Sequence, residues 1–274
     1  MTPHIGIIII GDEILSGKRA DKHLPKVIEL LAARGLSLAY AEYVGDDPAR
    51  ITATLARAFA AARTSGDIVF STGGIGATPD DHTRQCAAQA WGVELALHPD
   101  AKRLIEERMR ETAKEQGAVF EPDRHDNLHR LNMGVFPVGA DIIPNPYNKI
   151  PGFTCKSGQG AVHFVPGFPV MAWPMIESVL DESYGHLHQT SAWIEKSVIV
   201  MGAMEAALTP LMLKIETDHV GVKVFSLPSV DHPEFGRHIE LGVKGLAQPV
   251  SLAYPALLAG LHQFNLQLGP ELVR

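Results

Sequence analysis

The chain has little cysteine: Cys86 and Cys155 are the only two in 274 residues. Two cysteines cannot build a disulfide scaffold or a zinc knuckle. Free thiols fit a reducing compartment, so the expected location is the cytoplasm. Basic charge is also short, with 24 Lys and Arg against 31 Asp and Glu and a net charge of −7. That balance lacks the electrostatic footprint of a nucleic-acid or anionic-membrane binder, and neither partner is expected. Long apolar runs are missing. The run Ile5–Ile10 is too short to cross a bilayer and lacks the basic flank and cleavage site of a leader. There is no Gly-x-Ser-x-Gly elbow, no internal repeat and no low-complexity segment. What remains is ordinary globular material: 46% hydrophobic and 20% charged residues, which excludes disorder.

The first half alternates short β-branched runs with helical patterns. Ile5–Ile10 reads as a strand buried on both faces. Leu24, Val27, Ile28 and Leu31 recur at helical spacing, and Gly35 stops that helix. A second strand is expected over 39–44. Asp47 then caps a helix with Pro48 at its first position and Ile51, Leu55 and Phe59 on its apolar stripe. A third strand spans 67–72. Thr78-Pro79-Asp80-Asp81 reads as the opening of a third helix, and 99–116 as a longer one. Strand-helix-strand repeats of this length make a mostly parallel sheet with right-handed crossovers. The expected fold is α/β, a three-layer α/β/α sandwich over 1–172. A bridging helix over 173–190 and a small α+β domain over 191–274 complete it. The small domain reads strand 194–200, helix 205–216, strands 220–227 and 238–244, and helix 252–268. It holds six Lys and Arg against eight Asp and Glu, so its GVKG at 242–245 does not read as an RNA-binding loop.

In an open parallel sheet, ligands bind beyond the carboxyl ends of the strands. Three strands here end in the same chemistry: Gly11-Asp12-Glu13, Gly45-Asp46-Asp47, and Thr72-Gly73-Gly74-Ile75-Gly76 leading to Asp80-Asp81. The glycine loop allows close backbone approach and feeds a helix N-terminus suited to an anion such as phosphate. Carboxylates beside a phosphate repel it unless a cation intervenes, which points to Mg²⁺ or a similar divalent ion. Asp46 and Asp81 are the candidates to hold that metal or orient water, with Thr78 and Thr83 donating to ligand oxygens. Gly11 to Lys18 is a poor P-loop, because five residues separate its glycines and Arg19 follows the lysine. The pairs His125/His129 and His186/His188 lack a third ligand and read as solvated histidines.

Five motifs stand in order: GDEILSG at 11–17, VGDD at 44–47, TGGIGATPDDHT at 72–83, NPYNKIPG at 145–152 and PGFP at 166–169. Together they resemble the MoaB/Mog-type molybdopterin-binding domain, and more closely the N-terminal domain of the CinA family, without its carboxy-terminal amidase domain. The resemblance implies a pterin or nucleotide phosphate, with molybdopterin as ligand, at the strand ends. It adds Asn145, Pro166 and Gly167 to the ligand-facing set and implies functional roles for Asp46 and Asp81. It also implies metal-dependent chemistry at a phosphoanhydride, either nucleotidyl transfer to molybdopterin or hydrolysis of ADP-ribose, and a homo-oligomer. The alternatives are a binding module without turnover and an oligomeric scaffold. His23, Asn148, Lys149, Ile150 and Met171 depart from the residues usual in such loops.

Overall fold

A computed structural model describes residues 3–188 and 193–274. They form two compact units, 3–188 and 193–274. Among the described residues no helix is long and apolar enough to cross a membrane.

The first unit runs β1 (Ile5–Ile10), α1 (Asp12–Leu15), α2 (His23–Ala32), β2 (Leu38–Val44), α3 (Pro48–Ser65), β3 (Ile68–Thr72) and α4 (Thr83–Trp91). It continues through β4 (Leu95–Leu97), α5 (Pro99–Glu115), α6 (His125–Leu131), β5 (Val135–Pro137), β6 (Asp141–Ile143), β7 (Gly152–Ser157), β8 (Gly160–Val165) and α7 (Pro169–Tyr184). Six strands make one sheet in the order β2-β1-β3-β8-β7-β6. The pairs β1/β2, β1/β3 and β3/β8 are parallel, while β7 and β6 run antiparallel as hairpin additions.

Period-2 alternation explains why all six residues of β1 are buried. Ile8 and Ile10 face the layer of α3 and α4, where Leu55, Phe59 and Ala87 pack. Ile5, Ile7 and Ile9 face α2 and α7, where Val27, Leu31 and Ile176 pack. This is the three-layer sandwich. The Asp47 side chain caps α3 by accepting from Arg50 N at 2.9 Å, with Pro48 in the first turn. In α2 the buried stripe is Val27, Leu30 and Leu31, and Ile28 is exposed.

The helix expected as a bridge over 173–190 is observed as α7, which starts at Pro169 and ends at Tyr184. Ala172, Met175, Ile176, Val179 and Leu180 recur at helical spacing on α7, and all are buried in the first unit's core. Positions 189 and 190 lie outside the described residues. His163 on β8 is buried between Thr154 Oγ1 at 2.8 Å and the Tyr184 hydroxyl at 2.7 Å, and burial holds it neutral, its pKa lowered to about 3.

The second unit is β9 (Trp193–Met201), α8 (Glu205–Asp218), β10 (Val222–His232), β11 (Gly236–Leu246), α9 (Ala247–Leu261) and β12 (Gln267–Val273). Its antiparallel sheet has the order β10-β11-β9-β12, with Val198, Val200, Leu241 and Val243 packed against Leu208, Val250 and Leu257 of the helices. The expected helix over 252–268 ends early. Asn265 adopts a left-handed backbone (φ 53°), and the chain turns into an edge strand beside β9.

Candidate functional site

The strand ends are level. Ile10 pairs with Val44, and Ile9 with Thr72, so the chain leaves β1, β2 and β3 at one edge. Above it opens a cleft of about 830 Å³, walled by the segments after β1, β2, β3 and β8. Most residues expected from the sequence meet there: Gly11, Glu13, Asp46, Thr72, Gly73, Gly74, Gly76, Thr78, Asp80, Asp81, Pro166 and Gly167 all line it.

The carboxylates have different duties. Asp12 and Asp46 are locked together through backbone amides: Asp12 N donates to Asp46 Oδ2 at 2.8 Å, and Asp46 N donates to Asp12 Oδ1 at 3.1 Å. This reciprocal bridge pins the first two strand ends to each other. Asp46 carries a raised pKa, first because it is partly desolvated, then because Asp12, Glu13 and Asp80 repel its charge. A carboxylate so placed favours a cation. Asp47, by contrast, is occupied as the cap of α3.

The loop after β3 differs from expectation. Thr78 to Asp81 is a tight turn, and α4 begins only at Thr83. Asp81 Oδ2 accepts from both Thr78 N at 2.7 Å and Thr78 Oγ1 at 2.5 Å. Such local side-chain bonds compete with helix formation and hold the turn. The loop carbonyls all find donors at the start of α4. Gly73 O accepts from Thr83 Oγ1 at 3.0 Å, and Gly74 O from Thr83 N at 3.0 Å. Ile75 O and Gly76 O both accept from Arg84 Nη1, the latter at 2.5 Å. Among the described residues the amides of 74, 75, 76 and 77 donate to no protein acceptor. Gly73 has a positive φ of 95°, and a Cβ there would stand 2.2 Å from Ile10 O. Only glycine lets this loop lie against β1.

Thr83 serves the loop carbonyls and does not line the cleft. Asn145 does not line it either. Its side-chain amide donates to Asn148 Oδ1 at 2.8 Å and Ile150 O at 2.9 Å, and its oxygen accepts from Tyr147 N at 3.0 Å. It is a strut inside its own loop. Asn148 also reaches Met171 Sδ at 3.4 Å, and Lys149, at φ 64°, is clamped between Glu107 and Glu111 of α5. His23 does line the cleft. Asp21 accepts from its backbone N–H, its Nε2–H donates to Gly167 O at 3.0 Å, and its buried Nδ1 has no partner. Thr72 Oγ1 is likewise buried and unpartnered.

Several lining residues went unmarked by sequence reasoning. Arg19 and Lys22 bring positive charge to the lining of the cleft, and the run Lys18-Arg19-Ala20-Asp21-Lys22 was the available signal. Phe168, 55% exposed on the loop after β8, offers an aromatic face. No three His, Cys, Asp or Glu side chains gather as a preformed metal cage among the described residues.

Comparison with known proteins bears on this edge. A family model described as "Probable molybdopterin binding domain" matches residues 6–186. A CinA-like protein of Anaeromyxobacter sp. (strain Fw109-5) is 34% identical over 172 residues, covering 62% of this chain and 38% of that protein. A CinA-like protein of Citrifermentans bemidjiense is 31% identical over 211 residues, covering 76% of this chain and 47% of its own length. The chain thus spans less than half the length of these relatives. The crystal structure of the protein CinA, of unknown function, from Thermoplasma acidophilum shares the fold. It has a TM-score of 0.54 and 24% identity, over 65% of this chain and 98% of that one. The matched segment starts inside β1 and ends just past α7, so it takes in the whole sheet and every wall of the cleft. On that match the chain belongs to the molybdopterin-binding-domain family, and its first unit shares the fold of the CinA structure.

Proposed function

We propose that the cleft binds molybdopterin or a related pterin or nucleotide through its phosphate, and that a divalent cation bridges that phosphate to Asp46 and Asp81. The observation that carries this reading is the glycine loop, whose carbonyls are all bonded while four successive amides have no protein acceptor. Such a row of free N–H groups beside a helix start suits an anion. Arg19 and Lys22 add charge of the right sign, and Phe168 gives a pterin or purine ring a surface to lie on.

The donor set fits a hard cation held by one or two carboxylates and completed by phosphate oxygens, which is how Mg²⁺ is commonly bound. Asp46 has its second-strand position fixed by Asp12 N, and its raised pKa reflects a charge in need of a counter-ion. A cation there would neutralise a phosphoanhydride and ease attack on it. The chain's own part is to orient the phosphate on the loop amides, keep Asp46 and Asp81 at the strand ends, and exclude water beneath the ligand with Ile9, Ile10 and Ile14.

A binding module without turnover is the second reading. Asp81 favours it, because its Oδ2 is already engaged by two Thr78 donors and is poorly free to act on water. Incubation of the whole chain with ADP-ribose, or with molybdopterin plus ATP, in the presence of Mg²⁺ separates the readings. Product release that falls in Asp81→Asn supports catalysis. Tight calorimetric binding with no product over hours supports the module. Absence of binding by any phosphate-bearing probe overturns both. The homo-oligomer implied by the family likeness is part of the same proposal and is read by light scattering.

A further inference from the structure

Arg84 lies on the first turn of α4, at one remove from the cleft, and is only 4% exposed. A buried guanidinium is costly unless its N–H groups are answered. Here they are answered by backbone rather than by a carboxylate: Nη1 donates to Ile75 O and Gly76 O together. Burial lowers its pKa, with Asp81 opposing that shift.

The consequence follows from peptide geometry. In a trans peptide the carbonyl of one residue and the amide of the next point in opposite directions. Holding Ile75 O and Gly76 O at Arg84 therefore turns the Gly76 and Ala77 amides away from α4. Thr83 does the same for the preceding pair, by holding Gly73 O and Gly74 O and so turning the amides of Gly74 and Ile75. Two adjacent residues at one helix start thus set four successive amides, and residues 74–77 all line the cleft.

Resting on the proposed phosphate site, we infer that Arg84 is a positioning residue that presents the Gly76 and Ala77 amides to the ligand's phosphate from behind. It does not touch the ligand. Its action is divided from that of Thr83 by residue: Arg84 governs amides 76 and 77, and Thr83 governs 74 and 75. Charge alone does not make this division, because a positive charge behind the loop would act on all four amides.

The test uses the full ¹⁵N-labelled chain titrated with inorganic pyrophosphate and Mg²⁺, following the amide resonances of 74–77 and the dissociation constant. Arg84→Met keeps the apolar stem and removes the donors. Arg84→Lys keeps the charge, but its ammonium stops short of the place of Nη1. Expected for Arg84→Met is about a tenfold loss of affinity, the scale of one or two lost hydrogen-bonded contacts. Arg84→Lys should lose about threefold, with altered ligand shifts at 76 and 77 and near-native shifts at 74 and 75. Where Arg84→Met does not fold, the lysine variant decides alone. Native affinity and native shifts at 76 and 77 in Arg84→Lys overturn the inference, as does an equal loss of shift across all four amides. If the unaltered chain shows no pyrophosphate shifts at 74–77, the phosphate site itself fails. If it shows them and the variants match it, only the role of Arg84 fails.

Discussion

Two loops of the first unit carry the strongest motifs, and they solve opposite problems. In 73–77 the carbonyls of 73–76 are answered by α4 while the amides of 74–77 are left open toward a cleft. In 145–150 nearly everything is answered from within: Asn145 uses both its amide and its oxygen on its own loop, and Lys149 is tied to α5. The first loop is built to receive something. The second is built to hold its own shape at the edge of the sheet. A sequence motif marks both equally, because each depends on residues with special backbone or bonding abilities. Only the direction of the unpaired groups tells them apart.

The contrast is broken most forcefully at Gly73. An alanine Cβ would meet Ile10 O at 2.2 Å on a backbone at φ 95°, so neither a rotamer nor a small shift relieves it. Gly73→Ala should cost about 3 kcal/mol or more, read as a drop in denaturation midpoint, with loss of pyrophosphate binding. Gly17 is the control. It also has a positive φ, 72°, but nothing lies within 4 Å of its Cβ position, so Gly17→Ala should cost only about 1 kcal/mol. Equal effects at the two sites would mean that backbone strain, not close approach to β1, is what glycine supplies at 73.

Asn145→Ala comes next. Three hydrogen bonds of a buried side chain vanish, which should cost about 2–3 kcal/mol. Affinity for a phosphate probe, measured on the folded fraction, should not change. A fall in affinity larger than the fall in stability would return Asn145 to the ligand-facing set in which the motif placed it.

Asp46→Asn tests the acidic wall. Without a cation the ionised form of Asp46 is disfavoured by desolvation and by Asp12, Glu13 and Asp80, so its folded pKa lies above the unfolded value. The sign follows. Ionising Asp46 costs stability as pH rises through the raised pKa, and a bound cation relieves that cost. Mg²⁺-dependent binding of pyrophosphate should therefore tighten as pH climbs above the ordinary carboxylate range and level off once Asp46 is ionised. Asp46→Asn should lose about 10–100-fold in that affinity and lose this limb of the pH dependence. Titration calorimetry at several pH values reads both. An unchanged pH profile would remove Asp46 from the cation's neighbourhood.

Much of this was legible in the residues. The β-branched runs at β1 and β3 gave buried strands, Asp47-Pro48 gave a true helix cap, and three glycine-acid strand ends gave the edge where the cleft opens. What was not legible had specific causes. Thr78-Pro79-Asp80-Asp81 has the composition of a helix start, yet Asp81 bonds back to Thr78 and delays α4 to Thr83. The strand β12 hid behind an apolar helix because its partner, β9, lies more than sixty residues earlier, and pairing over that distance leaves no local pattern. Arg84 hid because an arginine on a helix is nearly always read as solvent-facing. Its burial depends on two carbonyls, Ile75 O and Gly76 O, that only the folded loop brings to it.

The smallest expected effect sharpens the comparison from the other side. Lys149 is one of two non-glycine residues with a positive φ among the described residues, so the 145–150 loop carries a strained backbone where the 73–77 loop uses glycine. Lys149→Gly relieves about 1 kcal/mol of that strain. It also frees the unfolded chain and removes the pairs with Glu107 and Glu111, which are exposed and so contribute little. These terms oppose one another, and the melting temperature should stay within about two degrees of the native value, with phosphate-probe affinity unchanged. A clear loss of stability that shrinks in high salt would show the clamp on α5 to be stronger than exposed ion pairs usually are. A loss of affinity would show that the shape of the self-satisfied loop is felt at the cleft, and the two loops would then have to be treated as one device.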